Sequence, residues 1–145
     1  MEHELLRVRK LTHARILAER LQAIEQARQW FRLSMLTPEP CEALAASLVA
    51  LQQAIQGAIA DLDTPEILAE HRPYAVLIKL RPLHRMLIET LVVLAGVRGL
   101  CQAGRLQEDR TGMYWQCKQS LGEIRRNGEE MLRLLACNKS LAATA

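Results

Sequence analysis

The sequence predicts an all-α fold: four long helices plus one short helix, arranged as an up-down helical bundle. Three observations carry this expectation. Ala, Leu, Gln, Glu and Arg, all strong helix formers, dominate the chain. No stretch alternates apolar and polar residues with the period of a strand, and Asn127-Gly128 lies inside a helical pattern rather than between β-branched runs. The triplet Thr-Pro-Glu occurs at Thr37-Pro38-Glu39 and Thr64-Pro65-Glu66, where a Thr hydroxyl, a Pro at the first helical position and a nearby Glu together form a helix start. A length of 145 residues with 50% hydrophobic and 24% charged residues suits a single helical-bundle domain over 1–145.

The elements follow in order. Glu4 to Leu36 reads as the first helix, with Leu17, Leu21, Ile24, Phe31 and Met35 on one face and Arg28 interrupting it. Upstream that face carries Leu6, Lys10 and His13, so residues 1–16 are expected as an N-terminal extension beyond the core or toward a partner. The second helix starts at Pro38 and runs to about Leu62, with Leu44, Leu48, Leu51, Ile55 and Ile59 inward. A short helix over Pro65 to His71 should follow, because Pro73 disfavours helical geometry at Arg72. The next long helix spans about Pro73 to Gly104, with Leu77, Leu80, His84, Leu87, Leu91, Leu94, Arg98 and Cys101 on one stripe, and Pro82 should kink or break it. Beyond Met86 that helix is apolar nearly all round, which predicts a central, buried element, with Gly96 and Gly99 allowing close approach. The last helix covers about Thr111 to Leu141, with Met113, Cys117, Leu121, Ile124, Met131 and Leu135 inward.

Several function classes lose their support at this stage. The first residues mix Glu2 and Glu4 with Arg7, Arg9 and Lys10, so they do not form a signal peptide. The most apolar window, Met86 to Gly104, contains Glu89 and Arg98 and reads as a bundle helix rather than a membrane span. A cytoplasmic protein that does not engage the membrane is expected. Cys41, Cys101, Cys117 and Cys137 form no CxxC and read as reduced thiols. His3, His13, His71 and His84 show neither HxxxH nor HExxH spacing, and no Glu-x-x-His occurs. No phosphate-binding glycine loop is present. No metal, cofactor or catalytic residue is therefore expected, and the chain does not read as an enzyme.

The net charge of +3 is unevenly spread. Residues 37–71 carry six acids and no Lys or Arg, whereas residues 72–104 carry five bases and one acid. The basic stretch offers Arg72, Tyr74, Lys79, Arg81, His84 and Arg85 as partner-binding candidates, with Arg81 and Arg85 one turn apart. Arg7, Arg9 and Lys10 at the start of the first helix are a second set. The alternative is that the basic stretch pairs with the adjacent acidic segment inside the same bundle. Arg28, His84 and Arg98 are polar groups on inward stripes, so they mark either an interface or buried pairs.

Leu87, Leu91, Leu94 and Arg98, with Asn127-Gly128, Leu132, Leu135 and Asn138, make these two helices similar to the middle and last helices of FlgN-type flagellar export chaperones. The N-terminal half does not follow that family, and the chain is not assigned to it. The residues together lead to a non-enzymatic protein-interaction subunit, such as an adaptor, chaperone or regulator, that docks through helix faces and has self-association open to it. The alternative is a nucleic-acid-binding accessory subunit of a nucleoprotein complex that uses the basic helix patches. Aromatic residues are only 3% of the chain, which leaves few stacking faces and makes the exposure of Trp30, Tyr74 and Trp115 decisive, since an exposed one is an anchor.

Overall fold

The computed structural model describes residues 2–64 and 74–136. These form an all-α bundle: α1 (Glu2–Arg28), α2 (Pro38–Leu62), α3 (Tyr74–Gln102) and α4 (Met113–Ala136), with 3-10 turns at Leu33–Met35 and Leu106–Glu108. Each helix packs against its chain neighbours, and α4 returns against α1, so α1 and α3 lie across the bundle from each other. Cross-helix contacts show that adjacent helices run antiparallel. His13, early in α1, is 2.8 Å from Asp61 at the end of α2. Glu42, early in α2, is 2.8 Å from Arg98 late in α3. Lys79, early in α3, is 3.2 Å from Glu130 late in α4.

The core is aliphatic, as the scarcity of aromatics requires. Cys41, Leu44, Leu48, Leu51, Ile55, Ala58 and Leu62 line the buried face of α2, spaced by three and four residues. Tyr114, Cys117, Leu121, Ile124, Gly128, Met131 and Leu135 line that of α4. All of these but Gly128 belong to a single cluster of buried residues with Leu17, Ile24 and Phe31 of the N-terminal region and Leu80, Leu87 and Leu94 of α3. Gly128 itself is needed for a close approach. A Cβ there would stand 2.7 Å from a methyl of Leu21, so α1 meets α4 over a position that holds no side chain. α2 is also long and apolar enough to cross a membrane by length and composition, but its buried stripe is the one a bundle helix presents to its neighbours.

Four expectations need correction. First, α1 ends at Arg28 rather than Leu36. The amides of Gln29, Trp30 and Phe31 donate to carbonyls three residues back, and Arg32 then adopts extended backbone at φ −123°, ψ 134°. Phe31 is buried, but Met35, expected inward, stands 48% exposed because the chain has left the helix before reaching it. Second, Pro38 takes the first turn of α2 as expected, but the Thr37 side chain makes no capping hydrogen bond. Third, Pro82 does not break α3, which is continuous through it. Fourth, α3 is not central. It packs mainly on α2 and α4, so a helix apolar on most sides leaves one side in solvent. Ile78 and Val92 are 66% and 68% exposed there. Of its two glycines, Gly96 receives the Met113 side chain, while Gly99 is exposed with nothing within 4 Å. The short helix expected over Pro65 to His71 lies outside the described residues, as does the chain beyond Ala136.

Candidate interaction site at the Tyr114 end of the bundle

The basic residues singled out from the sequence do not converge. Arg7, Arg9 and Lys10 lie on α1, whereas Lys79, Arg81, His84 and Arg85 lie on α3, across the bundle. Most already have partners. Arg9 is 3.7 Å from Asp61. Lys79 pairs with Glu130, and Arg81 pairs with Asp63. Lys10 is buried, with 3% of its surface exposed, so it presents no charge to a partner at the surface. Arg7 and Arg85 are exposed. His84 is half-buried, and its Nε2 is enclosed without a hydrogen-bond partner. Arg72 and the side chain of Tyr74 lie outside the described residues. Asp61, Asp63 and Glu42 of the acidic segment thus neutralise bases of α1 and α3. Of the polar groups on inward stripes, Arg98 reaches Glu42, and Arg28 reaches Glu25 at 3.3 Å.

The convergent features sit elsewhere, where α1 gives way to α2 and α4 begins. The Asp109 carboxylate accepts the amides of Met113 and Tyr114 at 2.9 and 3.0 Å, satisfying first-turn donors of α4. Gly112, at φ 70°, supplies the left-handed turn that this requires. Tyr114 is thereby held inward. Its ring lies 5.0 Å from that of Phe31, tilted by 33°. Its hydroxyl accepts the Leu33 amide at 2.9 Å and donates to the Phe31 carbonyl at 3.2 Å. One turn later, Lys118 donates to the same carbonyl at 3.4 Å. One side chain of α4 therefore anchors the connection between α1 and α2.

That anchored connection places apolar side chains in water. Trp30 is 57% exposed, and Leu33 and Met35 are each 48% exposed. Trp115, edge-on to Tyr114 at 5.2 Å, is 64% exposed. Both expected aromatic anchors that the structure describes are thus at the surface, at the same end of the bundle. Cations crowd beside them. The Lys118 ammonium is held below its usual range by partial burial and by the positive charges of Arg28 and Arg32. Arg32 has no ion-pair partner among the described residues, and Glu25 is shared between Arg28 and Arg125. An apolar groove of about 290 Å³ between α1 and α4 reaches this region through Glu25 and is lined by Leu21, Leu121, Ile124 and Leu132.

Burial pushes the Cys41 and Cys117 thiols up to about 12, away from the thiolate that a nucleophile needs. Among the described residues no three His, Cys, Asp or Glu side chains are placed to hold a metal ion. The sequence does contain a signal for the site in its adjacent aromatics. Neighbouring helical residues point about 100° apart, so Tyr114-Trp115 turns one ring inward and one outward, and Trp30-Phe31 divides in the same way in the turn that follows α1. The cation cluster left no such trace, because Arg28, Arg32 and Lys118 meet only through the fold.

Comparison with protein families, with curated proteins and with solved structures finds no match to this chain.

Proposed function

We propose that this helical bundle is a non-enzymatic protein-interaction subunit that docks an acidic partner segment bearing apolar anchors at its Tyr114 end. One observation carries the reading: Trp30 and Trp115 both stand more than half exposed at the end of the bundle where Arg28, Arg32 and Lys118 crowd together, and of these three cations only Arg28 has an ion-pair partner, Glu25, among the described residues. Trp, Arg and Met are the side chains enriched at protein interfaces, and Trp and Arg dominate their energetic centres. Covering the exposed part of each indole removes on the order of 100 Å² from water, worth about 2.5 kcal/mol at the usual coefficient. The cations then favour carboxylates on the partner and set its register. The groove between α1 and α4 extends the apolar surface away from the tryptophans.

The test is capture from the source cells with wild-type protein and with Trp30→Ala/Trp115→Ala, with and without nuclease. A protein retained after nuclease and lost with the double variant, at unchanged melting temperature, is the expected result. Capture that survives loss of both indoles would overturn the reading. Nucleic acid is the second reading, because two exposed indoles beside Arg32 and Lys118 also offer stacking faces and phosphate contacts. It requires binding of purified single strands that weakens steeply with salt.

A further inference from the structure

The outer side of α3 carries a second and independent feature. Ile78, Arg81, Arg85, Ile88 and Val92 follow one another at alternating steps of three and four residues, and all are exposed. Ala95 and Gly99 continue the same steps and are exposed too. This is the spacing of a helix–helix seam, sustained over roughly 30 Å of helix. α2 and α4 flank α3 and leave this line uncovered. Ile78, Ile88 and Val92 are 66%, 41% and 68% exposed, which is a poor arrangement for a lone bundle and a usual one for an interface.

The charges on the line select its occupant. Arg81 is neutralised by Asp63 of its own chain. Arg85 and Glu89, one turn apart and both exposed, form no ion pair among the described residues. A second α3 laid parallel would stack Arg85 on Arg85. Laid antiparallel about an axis near residue 87, it places Arg85 beside Glu89 of the second copy, twice by symmetry. The same axis brings Ile78 near Ala95 of the second copy, so the bulky first half of each seam meets the small second half. We infer that α3 is the self-complementary face of a two-fold homodimer, formed by antiparallel α3 pairing and registered by reciprocal Arg85–Glu89 contacts. α1, which leads into Trp30, lies across the bundle and is not part of this seam.

Sedimentation equilibrium of the purified full chain over a wide concentration range tests the inference. The expected result is a monomer–dimer equilibrium that Val92→Arg shifts to monomer. Arg85→Glu and Glu89→Arg should each weaken association roughly tenfold, about 1.4 kcal/mol, and the double charge swap should restore it. All three positions are solvent-exposed, so circular dichroism and melting should stay at wild-type values. A chain that stays monomeric at every concentration would overturn the inference. So would a dimer indifferent to Val92→Arg, or a double swap no better than the singles. Loss of the dimer with Trp30→Ala/Trp115→Ala alone would move the contact to the Tyr114 end and equally overturn it.

Discussion

The bundle treats its charges in two different ways. Along α2 and its neighbours, acids and bases meet across helices: Asp61 with Arg9 and His13, Asp63 with Arg81, Glu42 with Arg98. At the Tyr114 end, Arg28, Arg32 and Lys118 crowd together, and two tryptophans stand in solvent beside them. The first region is complete within the chain, and the second is not. The most basic stretch of the sequence is thus largely engaged within the chain. The surface with unmet charge and unmet apolar area is built by residues that are scattered in the sequence.

The comparison can be broken at its joints. The largest effect is expected from Phe31→Ala, which removes the only ring at the junction with no exposed surface and should cost about 3–5 kcal/mol, read by chemical denaturation. A much smaller loss would mean that the α1–α2 connection does not depend on the Phe31–Tyr114 contact. Tyr114→Phe keeps the ring and removes the hydroxyl that bridges the Leu33 amide and the Phe31 carbonyl. The expected cost is about 1–3 kcal/mol, with amide exchange at Leu33 accelerating well before that of the α2 core.

Alkaline pH probes the packed interior of the same end. The Cys41 and Cys117 thiols, ordinarily near 9.0, are pushed up to about 12 by burial. An unfolded chain releases those protons near 9.0 and the folded chain does not. The stability that the thiols support is therefore complete below 9.0 and is lost as pH rises toward 12. The melting temperature should fall across that interval, and Cys41→Ala/Cys117→Ala should flatten the fall. Parallel curves for the two proteins would show that these thiols are not the groups responsible. The smallest effect belongs to the region that is complete in itself. Arg81→Ala breaks a half-exposed pair with Asp63 and should cost under about 1 kcal/mol, declining further with added salt.

Some of this was legible in the sequence. The buried stripe of α2 was foreseen at Leu44, Leu48, Leu51 and Ile55, and that of α4 at Cys117, Leu121, Ile124, Met131 and Leu135. In α4 polar residues occupy the opposite side, and in α2 the remainder is mostly small Ala and Gly with Gln beside a stripe of Leu and Ile, so periodicity alone gives the direction of the core. The end of α1 was not legible. Phe31 falls on the helical stripe and is buried, yet it reaches the core from a turn, and the hydroxyl that holds the turn belongs to a residue 83 positions away. In α3 the inward stripe was legible at Leu77, Leu80, Leu87 and Leu94, all buried, but the exposure of the side opposite was not. Beyond Met86 the segment is apolar on most sides, so its pattern does not say that Ile88 and Val92 stay uncovered.

Sequence by itself determined the helical class, the start of α2 at Pro38, the inner faces of α2, α3 and α4, and the opposite signs of two adjacent segments. Those are local properties, set by propensity, by the missing amide of proline and by a period of 3.6 residues. Tertiary structure alone decided which acids the basic stretch would meet, Asp63 for Arg81 and Glu130 for Lys79, that Arg28, Arg32 and Lys118 would crowd one another, and that Ile78, Ile88 and Val92 would face outward. Those outcomes depend on which helices become neighbours in space, because charge and apolar area are satisfied by whatever stands opposite them and not by what stands next in the chain.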